Sequence, residues 1–307
     1  MLFGIIALIV VGLSWTIVGG IMGQAPKKKI DPEVIQFCGA TFGVSAGLII
    51  AGLGGGGGTQ CPSTLGTLLV CLSYFFSGFL NAIMLQLMSK AMQTGPNGIV
   101  WTIIQSAMVV PFLVGMIFFG VEPKLIRIAG VLLILICLAL SGYSKDNSTG
   151  NSSGNGGQWK TLAFLAFLIT GVSQTLSNLP SYFESARNIS PVIRSVTMAS
   201  GIFVVALTLI TRNGKWKRCG DTFRSKWLWI FLFLWQFFNL AGAYLLLYPG
   251  MDALAKHGVG AIAYPLMVAS CMVGFFLYSK LIIREKNTIL QYITLAGAII
   301  GIVMSCC

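Results

Sequence analysis

Charge is the scarcest feature of this chain. Only 9% of its 307 residues are Asp, Glu, Lys or Arg while 56% are hydrophobic, against about a quarter charged in a soluble globular domain. Acids are scarcer still. The eight carboxylates are Asp31, Glu33, Glu122, Asp146, Glu184, Asp221, Asp252 and Glu285, and all fall between long apolar runs or at their ends. Carboxylates inside a membrane are the usual proton relays and cation partners. Their lack argues against a cation/proton antiporter and against a hydrolase built on a buried acid pair. There is one histidine, no CxxC pair and no ATP-binding motif, so a metal centre, another bound cofactor and nucleotide-driven pumping have no residues to rest on. The apolar runs hold no acid, base or metal cluster, and the chain is read as a non-enzyme.

What is present is apolar length. Ten runs, roughly 2–22, 34–53, 65–89, 97–119, 124–142, 160–178, 191–210, 227–248, 259–281 and 288–306, approach the ~20 residues a helix needs to cross about 30 Å of hydrocarbon. An all-α integral membrane protein with ten transmembrane helices is expected. No basic residue precedes the first run, so it reads as a retained helix and not as a secretory signal. The net charge of +12 would point to nucleic acid on a soluble protein; here it reports orientation. Fifteen of the twenty Lys and Arg fall in connections 1–2, 3–4, 5–6, 7–8 and 9–10, and five in the others. This predicts a multi-pass protein of the cell membrane with the lysine-rich loops cytoplasmic and both termini outside.

The chain also comes close to repeating itself. Gly12-Leu-Ser14-Trp15-Thr16 returns as Gly171-Val-Ser173-Gln174-Thr175, 159 positions later. Phe75-Phe76 returns as Phe237-Phe238, Ala91 as Ala253 and Gly98 as Gly260, each 162 positions later. Each copy holds five runs, an odd number, so the copies must cross the bilayer in opposite senses. That is the pattern of an inverted-repeat transporter with its substrate between the halves. Residues 1–144 form the first five-helix repeat and 160–307 the second. Between them, 145–159 is a Gly/Ser/Asn-rich tract that cannot bury a core and reads as a linker. Two glycosylation acceptor patterns, at Asn147 and Asn151, lie in it, on the face predicted cytoplasmic, where they stay unmodified.

Glycines at 39, 43 and 47, and at 297 and 301, stack on one face of a helix and read as close helix packing. The five glycines from Gly54 to Gly58 lack the Lys and Ser/Thr of a phosphate loop and read as a turn. Most of the eight cysteines fall inside the runs and read as small buried hydrophobes.

The polar groups inside the runs are uncharged. They are Ser14, Trp15 and Thr16 on the first, Tyr74 and Asn81 on the third, and Trp101, Thr102 and Gln105 on the fourth. The second half adds Ser173, Gln174, Thr175 and Asn178 on the sixth run, Trp235, Gln236, Asn239 and Tyr244 on the eighth, and Tyr264 on the ninth. Amides and hydroxyls donate and accept, and aromatic faces stack on apolar ring surfaces. The set suits a neutral or zwitterionic polyhydroxylated or amphipathic metabolite. Each also has a structural reading: Ser and Thr bond back to their own helix, and Asn and Gln join helices. Pro265 beside Tyr264 predicts a kink that turns Tyr264 toward a cavity. His257, beside Lys256, could couple transport to protons or sit solvated in a loop. Trp227 and Trp229 follow a basic loop and read as interface anchors.

These residues resemble the drug/metabolite transporter superfamily, whose EamA-like members have ten helices in two five-helix repeats. The resemblance rests on Gly12-Leu-Ser14-Trp15-Thr16 and on the helix pairs after Gly98 and Gly260, each passing through an acid, Glu122 or Glu285. Lys27-Lys28-Lys29 after the first run resembles the rhamnose and glucose/ribose sugar-permease branch. The resemblance implies a transport core of helices one to four and six to nine, with five and ten as scaffold. Multidrug relatives carry a membrane Glu in the first helix; Ser14-Trp15-Thr16 stands there instead, against cation-drug efflux.

The sequence thus predicts a secondary or facilitative carrier of a small organic solute, a sugar or related neutral solute favoured, working by alternating access in the bilayer as a monomer or homodimer. A proton, sodium or solute gradient would drive it. Export of amino acids or amphipathic metabolites, and a membrane scaffold or channel without a transport cycle, are the competing readings.

Overall fold

The computed structural model describes residues 1–55, 64–119, 124–143, 158–179, 189–238, 242, 246, 248–255, 263–285 and 288–304. These form helices and no strand. The first half contributes α1 (Leu2–Gln24), α2 (Pro32–Ile50), α3 (Thr64–Thr94), α4 (Asn97–Gln105), α5 (Val109–Phe118) and α6 (Leu125–Tyr143). The second contributes α7 (Gln158–Asn178), α8 (Pro191–Arg212), α9 (Trp216–Phe223), α10 (Lys226–Gln236), α11 (Tyr248–Ala255), α12 (Ala263–Tyr278) and α13 (Ile289–Met304).

Seven segments are long and apolar enough to cross a membrane: α1, α2 continued to Leu53, α3, α4 with α5, α7, α8, and α12 continued to Ile283. Leu125–Cys137 of α6 and Ile289–Met304 of α13 are shorter apolar helices. The run expected at 227–248 opens as α10, and most of its remainder lies outside the described residues, as do 145–157 of the linker with both acceptor asparagines. Gln158 and Trp159, assigned to the linker, begin α7.

Local chemistry sets the helix ends. Pro32 and Pro191 open α2 and α8, where the N–H that proline lacks has no helical acceptor anyway. Ser190 caps α8 by accepting from the Val192 amide at 3.2 Å, satisfying one orphan donor. α4 and α5 are separated by a 3-10 turn at Ser106–Met108. Pro111 follows and cannot donate to the Ala107 carbonyl, which accounts for the break. Pro265 lies in the first described turn of α12, so the proline-linked break in the described helices falls in the fourth run.

The bundle is apolar outside as well as within. Phe3, Ile6, Leu48, Leu68, Ile117, Leu132, Phe164, Phe233 and Ile293 are among many exposed large hydrophobics, far more than a soluble protein shows to water. This is a lipid-facing surface, and the chain is a multi-pass membrane protein. All five cysteines described are free, and four of them (Cys38, Cys137, Cys219 and Cys271) are buried.

Within the bundle α1 packs on α12 and α11, α2 on α8 and α10, α3 on α7 and α8, α4 and α5 on α7, and α6 on α13. Glycine permits the closest crossings. Gly78 of α3 faces the Met198 carbonyl of α8 while Gly201 of α8 faces the Phe75 carbonyl of α3, so any Cβ would overlap backbone. Gly43 and Gly47 of α2 meet Ala199 and Val196 of α8, and Gly301 of α13 meets Gly130 of α6, the packing expected of small residues in lipid. Gly39 turns instead to Trp235 and Gln236 of α10.

Candidate functional site

The polar residues inside the helices gather at three helix contacts. At the first, α1, α4 and α12 meet. Trp101 stacks on Phe275 with ring centroids 4.7 Å apart and 18° between planes, and both rings lie against Gly19. Thr16 Oγ1 donates to the Cys271 carbonyl at 3.4 Å, and Trp15 packs against the adjoining apolar clusters. The Trp101 indole N–H is buried and meets no strong acceptor among the described residues; the thiol of Cys271 is its side-chain neighbour, and sulfur is a weak acceptor.

At the second contact α3 and α7 are joined by a reciprocal pair. Ser77 Oγ donates to the Ser173 carbonyl and Ser173 Oγ to the Ser77 carbonyl, each at 2.9 Å. At the next residue, the side-chain oxygen of Gln174 is buried without a partner among the described residues. At the third contact Gln236 Nε2 of α10 donates to the Gly39 carbonyl of α2, with Trp235 buried beside it in the same apolar core as Trp101.

The other predicted residues stand apart from these contacts. Ser14 Oγ donates to Val11 O at 2.6 Å and Thr102 Oγ1 to Gly98 O at 2.8 Å, both within their own helix. Thr175 bonds back to Gly171 in the same way. Gln105 is buried at the end of α4; Asn81 and Asn178 are half-buried on α3 and α7. Tyr74 packs on Val70 and Ile189, with the Arg194 guanidinium 6.0 Å from its ring centre. Asn239, Tyr244 and His257 lie outside the described residues, and Tyr264 is described only as part of the α12 backbone. Groups of His, Cys, Asp or Glu able to hold a metal are absent among the described residues.

The structure adds polar residues at the lysine-rich end. A cavity of about 700 Å³ is bounded there by Lys28, Asp31, Glu33, Gln86, Lys215 and Arg218, among others. Lys215 Nζ of the α8–α9 turn lies 3.0 Å from Glu33 Oε1 and 3.6 Å from Asp31 Oδ2, and Arg218 Nη1 lies 3.8 Å from Asp31 Oδ2. Glu33 is 8% exposed, in the first turn of α2, where the helix dipole favours a carboxylate. Below it Gln86 Nε2 donates to Gln36 Oε1 at 3.1 Å and Gln36 Nε2 to Ala82 O at 3.3 Å. The Cys219 thiol of α9 is held above its ordinary pKa, first by burial and then by the Asp31 and Glu33 carboxylates, with Lys215 opposing. By sequence alone these charges fall in loops or at the ends of apolar runs. Gln36 and Gln86, two amides on neighbouring apolar runs, were the legible signal.

The same end carries a second cross-chain contact. The Glu285 carboxylate accepts from the Asn97 amide at 2.8 Å, the Gly98 amide at 3.2 Å and Ser279 Oγ at 2.8 Å, and also from Asn97 Nδ2. It caps α4, meeting orphan donors at the helix N-terminus.

No family model matches the chain, and no curated protein matches it. Eleven chains of known structure do match. One, described only as "Crystal structure of protein", superposes over 99% of this chain and 94% of its own length with a TM-score of 0.59 at 15% identity. At that identity the likeness shows a shared fold alone.

Proposed function

We propose that the chain is a carrier of a small neutral organic solute, a sugar favoured, working by alternating access between two inverted five-helix repeats of the EamA-like drug/metabolite transporter kind. The pairing of helices carries the reading. If the ten apolar runs are numbered in order, run 1 (α1) packs on run 9 (α12), and run 6 (α7) packs on run 4 (α4 and α5). Run 3 (α3) packs on run 6, and α10, which opens run 8, packs on run 1. Runs 2 and 7 pack on each other, as do 5 and 10. Adding five to each run number exchanges these pairs among themselves, the pattern expected of two inverted repeats. Runs 5 and 10 pair apart from this exchange, in keeping with a scaffold role.

The chemistry of the site supports a neutral solute. Trp101 offers an aromatic face and a donor whose neighbour is only the weakly accepting Cys271 thiol, and Gln174 offers an unmet acceptor; no carboxylate is buried beside either among the described residues. The lysine-rich loops are taken as cytoplasmic on the positive-inside rule. A thermal-shift screen of the purified protein against sugars, amino acids and nucleosides tests the reading, since a ligand that binds only the folded state raises its melting temperature. A sugar is expected to stabilise the wild type and to lose that effect in Trp101→Ala. Stabilisation by amino acids alone would move the assignment to an exporter of those, and ligand effects unchanged in Trp101→Ala would detach the solute from this site.

A further inference from the structure

Two polar contacts bridge the lysine-rich end, and each joins residues from opposite halves of the chain. Glu285 reaches back 188 positions to Asn97, and Lys215 reaches back 182 positions to Glu33. The cavity lies beside the second contact, with Gln86 and Ser89 in its wall. Beneath it Gln36 is fully buried, and the Gln86–Gln36–Ala82 chain of bonds closes the polar route inward.

The backbone on the carboxylate side of both contacts is of one kind. Among the described residues, the non-glycine positions with left-handed backbone are Lys29 (φ 59°) and Arg284 (φ 61°). Lys29 stands two residues before Asp31, and Arg284 immediately precedes Glu285. Each is the left-handed residue that ends a short helical turn, the conformation common at helix C-termini, so each carboxylate follows a point where the chain leaves a helix. The two contacts differ in cover. The Lys215 and Asp31 side chains are 22% and 26% exposed, so water takes over those charges when they part, whereas the Glu33 side chain is 10% exposed and keeps the favourable end of the α2 dipole. Asn97 and Gly98 at the head of α4 are buried, so they release Glu285 only when that end of the helix opens to water.

We propose that the Glu285 cap and the Lys215–Asp31/Glu33 pairs are two parts of one latch that holds the lysine-rich end closed, with the cavity as the vestibule through which solute passes once both release. The proposal rests on the carrier reading for its purpose but not for its test. It makes Glu285 and Lys215 positioning residues that act on access to the site and touch no solute.

Cys219 reports the state of the latch. It is 5% exposed on α9, beside Asp31, Glu33 and Lys215. The experiment is maleimide labelling of the full chain in nanodiscs, resolved peptide by peptide by mass spectrometry. Lys215→Glu is expected to speed labelling of Cys219 about fivefold, the population change that about 1 kcal/mol corresponds to. Chemistry alone predicts the reverse, because exchanging the lysine for a carboxylate raises the thiol pKa further. Faster labelling therefore reads exposure. The swap Glu33→Lys with Lys215→Glu is expected to return the rate to within about twofold of wild type, since the pair is rebuilt with its sign reversed.

Glu285→Ala is the decisive variant. Glu285 makes its described contacts with α4 and Ser279, away from Cys219, so a merely local cap leaves Cys219 at the wild-type rate, and that result overturns the latch. Faster labelling of Cys219 in Glu285→Ala supports it. Cys271, fully buried in α12, is the folding control. If it labels in a single variant, that variant has unfolded, and the charge swap decides: restored protection supports the latch, and no restoration overturns it. Labelling that obeys these rules in a protein that moves no solute would retain the latch and retire the carrier reading.

Discussion

Gly12-Leu-Ser14 on α1 and Gly171-Val-Ser173 on α7 are nearly the same words at matching places in the two halves, yet the bundle uses them differently. Both glycines lie at a helix crossing, Gly12 over the Met267 carbonyl of α12 and Gly171 over the Val110 side chain of α5. The serines diverge. Ser14 turns back into its own helix at Val11, while Ser173 exchanges bonds with Ser77 of α3. The glycine fixes where two helices meet; the serine decides whether they are stitched. α7 is held to α3 by two bonds of 2.9 Å, whereas α1 is held to α12 by shape and one bond of 3.4 Å from Thr16 to the Cys271 carbonyl. Fewer and longer polar ties are lost when α1 slides, so α1 is the helix better suited to move.

Breaking the crossing on α1 has the largest expected effect. Gly12→Val drives a side chain onto a backbone oxygen that cannot rotate away, and overpacking of this kind costs about 1–3 kcal/mol or more. The melting temperature in detergent should fall clearly, or folded protein should be lost. Gly171→Val meets the Cβ and Cγ atoms of Val110, which only a small shift of α5 relieves, so its melting temperature should also fall, but by less than where the overlap is with a backbone carbonyl. Equal losses would remove the distinction between the crossings. The stitching comes next. Ser77→Ala with Ser173→Ala deletes both reciprocal bonds, each worth about 0.6 kcal/mol in a membrane protein, so the unfolding free energy from denaturant titration should drop by roughly 1 kcal/mol. Smallest is Ser14→Ala, whose bond stays within one helix. It is expected within about 0.5 kcal/mol of wild type, and a loss as large as that of the double variant would show that Ser14 also ties helices together.

Much of the fold was legible because lipid leaves few options. A run such as 2–22 or 191–210 must be helix once it is apolar for that length, since hydrocarbon offers its backbone no other partner. Glycines spaced by four mark a close helix contact on α2, and the fold supplies its partner, with Gly43 and Gly47 on α8 and Gly39 on α10. The break at Ser106–Met108 is written in the chain at Pro111, while the kink expected at Pro265 falls beside residues 256–262, outside the described ones. The candidate site was less legible. Residue type marked Trp101, Gln174 and Gln236 as polar groups inside apolar runs, but whether a hydroxyl bonds back, as Thr102 does, or across, as Ser173 does, depends on the neighbouring helix. The ion pairs at the lysine-rich end were hidden for a related reason. Lys215, Asp31 and Glu33 read as ordinary loop charges until the fold brings positions 182 residues apart to 3.0 Å.

The central claim is that one solute-binding site is exposed alternately to the two sides of the membrane. Counterflow in proteoliposomes addresses it most directly: vesicles preloaded with unlabelled sugar are diluted into a trace of the same labelled sugar. The account predicts transient accumulation of label above equilibrium, saturable with sugar concentration and lost in Trp101→Ala. Label that only approaches equilibrium, at a rate linear in concentration and unchanged by Trp101→Ala, would contradict it and leave a channel or scaffold in its place.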